Sequence, residues 1–277
     1  MDRKKVTIAE LLKKKQDGKK ITMMTAYDYP TAVLVDKAGI DTILVGDSLA
    51  MVMLGYESTV PVTMDEMIHH CKAVNRGARY GFIIGDMPFM SYQVGIEKAV
   101  ENAGRFMKEA GCDCVKLEGG SEMAPVAGAI VRAGIPVCAH IGLTPQTATK
   151  LGGFKVQGKD AESARELVAA ARDFEAAGAF MIVIECIPDL LAGRITRELK
   201  IPTIGIGAGK DCDGQVLVYH DLVGLFDRFT PKFVKKYVNL TPQILEALGQ
   251  YKKEVEDGSF PGPEHSFTMK PEEADKI

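Results

Sequence analysis

Eight short apolar runs alternate with helical patterns along these 277 residues, and four of the runs end in an acid. Together these observations predict a (β/α)8 barrel with a helix added in front and an extension behind. A parallel strand covered on its outer side reads as a continuous apolar run. A barrel of this kind does its chemistry at the carboxyl ends of its inner strands. The four terminal acids are Asp47 in ILVGDS, Asp86 in FIIGDMPF, Glu118 in CVKLEGG and Glu185 in MIVIEC. An open doubly wound sheet is the competing architecture for the same alternation.

Taken in order, residues 7–16 form an amphipathic helix ahead of any strand, expected to close the bottom of the barrel. The strand runs are 20–25, 41–47, 82–86, 114–118, 136–140, 181–185, 202–207 and 215–219. Thr63 followed by Glu66 is a capping box that opens the helix DEMIHHCKAVNRGA. Helices over 96–110, 121–133 and 160–177 stop at Gly111, Gly134 and Gly178, residues suited to a helix C-terminus. Residues 56–61 lie in a long loop after the second strand and are a candidate lid. A last helix starts at Thr241-Pro242, and the tail from Ser259, rich in Pro, Glu and Lys, is expected to need a neighbour for order. The expectation is one barrel domain over 1–277, with 1–19 as its cap and 259–277 as its tail.

A formal charge of −3 gives no hint of a nucleic-acid or membrane-surface partner. The N-terminus has charges but no continuous apolar stretch, so it does not resemble a secretory signal. No apolar run approaches the ~20 residues of a membrane span. The six cysteines are dispersed, and the lone C-x-C at Cys112 and Cys114 lacks the second pair of a zinc site. Free thiols and a cytoplasmic location are therefore expected.

Side chains two apart on a strand share a face. Ile43, Val45 and Asp47 should then point one way, as should Phe82, Ile84 and Asp86, and likewise Cys114, Lys116 and Glu118. If the acids face the axis, Lys116 is a cation buried one layer below them, tolerable only beside acids or an anionic substrate. Four acids at one mouth repel each other, so the pattern asks for a divalent metal as well as a base. Taken singly, any of these acids could instead cap the helix that follows it. His140 is a fifth polar group at the same rim, structural or functional. Glu185 has only apolar strand neighbours and should lack strand-level hydrogen-bond partners. His69 and His70 sit mid-helix as surface or packing residues, and His220 and His265 carry no readable role. The glycines at 205–209 stand where many barrels hold a phosphate, although close backbone packing explains them as well.

TAYDYP, VGDS, GDMPF, KLEGG, HIGLTPQ, IECIP, GIGAG and FPGPEHSF occur in that order, and in this the chain resembles the ketopantoate hydroxymethyltransferase family over nearly its whole length. The resemblance implies one Mg2+ per subunit, 5,10-methylenetetrahydrofolate as co-substrate, 3-methyl-2-oxobutanoate as substrate and a homodecamer. By motif, Asp47, Asp86 and Glu118 would serve the metal, the last through water. Asp47, Ser48, Asp86, Lys116 and His140 would contact the oxo acid, and Glu185 would accept its proton. Three rivals remain: a phosphoenolpyruvate-mutase or isocitrate-lyase type enzyme, a Schiff-base aldolase using Lys116, and a non-catalytic oxo-acid-binding barrel. The first would need a nucleophilic cysteine or phosphonate-binding basic residues, and no KKCGH-like loop is present.

Overall fold

A computed structural model describes residues 3–277. Its strands are β1 (Ile21–Thr25), β2 (Thr42–Val45), β3 (Phe82–Asp86), β4 (Cys114–Glu118), β5 (Val137–Gly142), β6 (Met181–Glu185), β7 (Thr203–Ile206) and β8 (Gly214–Leu217). Each pairs in parallel with the next, and β1 pairs with β8 to close the barrel. The open-sheet alternative is thereby excluded. The chain separates into two compact units, one holding the barrel with Thr230–Val234 and the other His220–Phe229 with the C-terminal residues from Lys235.

Around the barrel stand α1 (Ile8–Gln16), α2 (Tyr29–Lys37), α3 (Leu49–Val52), α4 (Met64–Gly77), α5 (Ile96–Lys108), α6 (Ala124–Arg132), α7 (Ala161–Ala176) and α8 (Asp189–Glu198). The capping box of α4 forms as read: the Thr63 hydroxyl accepts from the Glu66 N–H, and the Glu66 carboxylate accepts from the Thr63 N–H at 2.7 Å. The last run is shorter than expected. β8 ends at Leu217, and α9 (Tyr219–Val223) begins where the Tyr219 N–H donates to the Thr25 hydroxyl at 2.9 Å. In the second unit, α10 (Leu240–Asp257) is followed by a mostly exposed tail with only short helical turns.

Two apolar layers follow from the strand pleat. Ile83, Val115, Leu117, Ala139, Ile141, Ile182 and Ile184 face outward into the helical shell. Phe82, Ile84, Cys114, Cys138, Met181, Val183, Ile204 and Val216 fill the interior. Strand β2 departs from the expected phase. Leu44 points into the barrel, whereas Ile43 and Val45 belong to the outer layer. Asp47 therefore cannot reach the mouth by alternation along β2, and it arrives there only because the chain leaves the strand at Gly46.

Helix α1 plugs the barrel from below. Leu11 is fully buried in the interior cluster. Asp41, Asp113 and Asp213 each stand just ahead of a strand, and each accepts a neighbouring backbone N–H, from Thr22, Ile83 and Thr203 respectively, at 2.7–2.8 Å. The same acids bind Lys14 at 2.5 Å, Lys5 at 2.7 Å and Lys15 at 2.6 Å. One set of carboxylates thus aligns strand starts and anchors the N-terminal segment.

The cysteines are all free, and five of the six are buried. No described helix is long and apolar enough to cross a membrane. The GIGAG run is tightly packed: a Cβ would lie 2.9 Å from the Cys212 sulfur at Gly205 and 2.5 Å from the Asp189 Cβ at Gly209. Close packing accounts for these glycines.

Candidate active site

At the mouth, the strand register sets acids beside cations. Asp86 on β3 lies opposite Lys116 on β4, and Glu118 on β4 lies opposite His140 on β5. Lys116 Nζ donates to both Asp86 oxygens, at 2.6 and 2.7 Å. His140 stands between two carboxylates, with Nδ1 3.2 Å from Glu118 and Nε2 3.2 Å from Glu185. Neither approach has hydrogen-bond alignment, so these are charge contacts. Along β6 the neighbours of Glu185 are apolar as read, and the charge contact from the β5 imidazole is one the sequence did not show. Glu185 is also the most open acid of the group. Its side chain is 15% exposed, against 2% for Asp86 and Glu118, 3% for His140 and 4% for Lys116.

The backbone around Glu185 is held unusually. Gly142 pairs with it at φ 97°, and a Cβ there would fall 2.2 Å from the Glu185 carbonyl oxygen. Cys186 follows at φ 48°, a left-handed conformation uncommon outside glycine, with its N–H donating to the Ile206 carbonyl and its own carbonyl accepting from the Gln157 N–H, both at 2.9 Å. Ser48 opens α3 without capping it, and its hydroxyl lies 2.8 Å from the Tyr27 hydroxyl. His70, read as a packing residue, sets Nδ1 2.6 Å from the Tyr27 carbonyl.

Three residues of this site were not legible as such. Tyr27 and Gln146 lie inside motifs already noted, without a sign of their role. Tyr92 lies in a loop with no periodicity to mark it. Gln146 is buried, and its amide nitrogen donates to Asp47 at 3.0 Å and to the Met87 carbonyl at 2.9 Å. Tyr92 donates to the Gln146 carbonyl oxygen at 2.7 Å.

Electrostatics follow from burial and neighbours. Burial, then the Asp86 charge, push Asp47 well above the ordinary carboxylate range. Burial also raises Asp86, opposed by Lys116. Burial alone would lower Lys116, but Asp86, Asp47 and Glu118 outweigh it and hold the ammonium above its usual value. For His140, burial and Lys116 press downward, yet Glu118 and Glu185 prevail and raise the imidazole to about 9. His140 therefore carries its charge through the neutral range.

Four carboxylates against these two cations leave an excess of two negative charges, the charge that one divalent ion would balance. Among the described residues no three His, Cys, Asp or Glu side chains form a ready-made ligand group. The oxygen donors of Asp47 and Asp86 fit Mg2+, which is commonly held by one or two carboxylates and keeps water on its other positions. Asp47 and Asp86 are suited to hold it. Glu118 accepts the Gln146 N–H at 2.7 Å and faces His140, so an outer role through water suits it better.

A stability test separates Asp47 from its neighbours. A carboxyl whose folded pKa lies above the unfolded value of about 3.9 costs stability above its folded pKa and ceases to do so below the unfolded one. Asp47→Asn keeps an acceptor for Gln146 and removes the charge. It should raise the thermal midpoint of the metal-free protein at pH 7, by about 2–4 °C for each kcal/mol relieved. The gain should shrink as the pH falls toward 4. A lower midpoint at pH 7 would count against this account.

Sequence and fold comparisons agree with the geometry. A sequence model described as ketopantoate hydroxymethyltransferase matches residues 5–263. The 3-methyl-2-oxobutanoate hydroxymethyltransferase of Heliobacterium modesticaldum is 60% identical over 266 residues, covering 96% of each chain. The protein of the same name from Carboxydothermus hydrogenoformans is 56% identical over 277 residues, covering 100% of both. Among solved structures, a phosphonopyruvate hydrolase superposes with a TM-score of 0.62 at 14% identity, covering 98% of this chain and 94% of that one. A 2,3-dimethylmalate lyase gives 0.60 at 15% identity, covering 97% and 93%. At such identities these two share the barrel and nothing finer. By sequence along almost its full length, the chain belongs to the ketopantoate hydroxymethyltransferase family.

Proposed function

We propose that this barrel mouth transfers a hydroxymethyl group to 3-methyl-2-oxobutanoate from 5,10-methylenetetrahydrofolate, with Glu185 as the base. The observation that carries the assignment is the position of Glu185: it is the one partly open acid, separated from the buried Asp47–Asp86–Lys116 group by the charged His140. When bound at Asp47 and Asp86, Mg2+ supplies Lewis-acid polarisation of the keto oxygen. Lys116, held protonated, offers its charge to the oxo-acid carboxylate, and the Ser48 hydroxyl, set 2.8 Å from the Tyr27 hydroxyl, is a further contact for the oxo acid. Glu185 takes the proton from C3, as a positioned carboxylate can. His140 steadies that carboxylate between transfers. The C3 carbon then bonds to the folate methylene carbon, which leaves its nitrogens, and water supplies the hydroxyl of ketopantoate. Magnesium dependence, a homodecameric assembly and a cytoplasmic location belong to the same reading, supported by family membership.

The mutase-like alternative finds little here. Cys186 is the only cysteine not fully buried, and burial, with the Glu185 charge, pushes its thiol up to about 12, which makes it a poor nucleophile.

Proton exchange at C3 of 3-methyl-2-oxobutanoate in heavy water, followed by NMR, tests the proposal. Exchange should require Mg2+ but not folate, and ketopantoate should form only when the folate is added. No exchange with saturating Mg2+ would overturn it.

A further inference from the structure

Asp47 differs from the other acids because no strand holds it. Asp86, Glu118 and Glu185 end β3, β4 and β6, where the pleat aims their side chains. Asp47 lies beyond β2, after a turn, and something else must set its direction. The Asp47 backbone N–H is given to Asp86 at 3.1 Å, which fixes the main chain. Its carboxylate takes its direct side-chain hydrogen bond from Gln146.

Gln146 itself cannot turn. Its nitrogen faces two acceptors, Asp47 Oδ2 and the Met87 carbonyl, while its oxygen faces two donors, Tyr92 at 2.7 Å and Gln93 at 3.4 Å. A half-turn of the amide would set its oxygen against the Met87 carbonyl, which cannot donate, and against the Asp47 carboxylate. The Tyr92 hydroxyl lies 2.7 Å from the amide oxygen and 3.1 Å from the Glu118 carbonyl, and it accepts the Glu118 N–H at 3.2 Å. The Gln146 backbone N–H donates to Glu118 Oε1 at 2.7 Å. One buried residue of the β5 loop thus grips an acid of the β2 loop and an acid of β4. The side-chain amide makes the contact to Asp47, whereas the contact to Glu118 is the backbone's and would survive substitution of the side chain.

We propose that Gln146 is a positioning residue whose side-chain amide, braced by Tyr92, aims Asp47 at the metal, while its backbone N–H holds Glu118 behind it. This rests on the reading of Asp47 as a metal ligand. Groups that orient ligands in this way typically change metal affinity by about 10–100-fold when removed.

Mn2+, bound in place of Mg2+ and counted by electron paramagnetic resonance, reports affinity and number of sites without turnover. Gln146→Met should weaken Mn2+ binding by about 10–100-fold at unchanged stoichiometry. In an Asp47→Asn background it should add almost nothing, since residues that act through one another are not additive. Tyr92→Phe removes the hydroxyl that braces the amide and meets the Glu118 backbone, and should weaken binding in the same direction by a smaller factor. It decides the matter if Gln146→Met fails to fold. Unchanged Mn2+ affinity in folded Gln146→Met, fewer sites at parent affinity, or full additivity with Asp47→Asn would each overturn the proposal. Parent affinity in Asp47→Asn alone would instead overturn the ligand assignment beneath it.

Discussion

Glu185→Gln is expected to lower both C3 proton exchange and turnover by about 10²–10⁴-fold, the loss typical of removing a positioned general base. The amide preserves the shape of the side chain while deleting the electron pair that takes the proton. Oxo-acid binding and Mg2+ binding should survive, because Asp47, Asp86 and Lys116 form a separate buried group. His140 should survive as well, since its Nδ1 keeps Glu118 at 3.2 Å after its Nε2 loses a carboxylate partner. Isothermal titration with the oxo acid and Mg2+, alongside the exchange assay, separates the two effects. Parent-rate exchange would move the base elsewhere, with His140 the nearest group. Lost metal affinity would place Glu185 among the ligands.

Lys116→Met is expected to produce the largest stability change in the barrel interior. It removes one member of a buried pair and leaves Asp86, Asp47 and Glu118 facing each other, a change that typically costs about 3–5 kcal/mol. The sign holds at neutral pH: the ammonium is raised above its unfolded value, so its contribution is complete below about pH 10. A fall in thermal midpoint on the order of 10 °C follows for the metal-free protein, and Lys116→Met with Asp86→Asn should recover much of it. An unchanged midpoint would show that the pair is not the neutralising element it looks to be. The same protonation opposes imine formation, since a charged amine cannot attack a ketone. Borohydride reduction in the presence of 3-methyl-2-oxobutanoate should leave the protein mass unchanged, and an added mass would restore the Schiff-base reading.

Most of the fold was legible because a buried parallel strand and its glycine-stopped helix leave separate marks in sequence. The acids on β3, β4 and β6 were legible for the same reason, since alternation fixed their direction. Asp47 was located but misattributed to that alternation, for a strand that ends at Val45 looks in sequence like one that ends at Asp47. His140 and Glu185 stand two positions apart in register and meet only through the barrel's curvature, which a linear pattern does not contain. Gln146 and Tyr92 stayed hidden because loop residues carry no period. The lower rim was overlooked for another reason. Asp41, Asp113 and Asp213 precede strands rather than follow them, and an acid at a strand start is indistinguishable in sequence from an ordinary turn residue.

The plug formed by α1 makes the barrel a blind well. With Leu11 seated in its floor and the interior filled by side chains, nothing enters or leaves from beneath. Both reactants and both products must share one opening. On the proposed assignment the oxo acid occupies the lower position, against Lys116, and a folate entering by the same opening is expected to lie over it. That arrangement predicts an ordered turnover, oxo acid first in and ketopantoate last out, which product-inhibition kinetics would check. The well also sets a trap, because folate arriving at an empty site would bar the oxo acid and form a dead-end complex. High folate should therefore inhibit, and the oxo acid should relieve it.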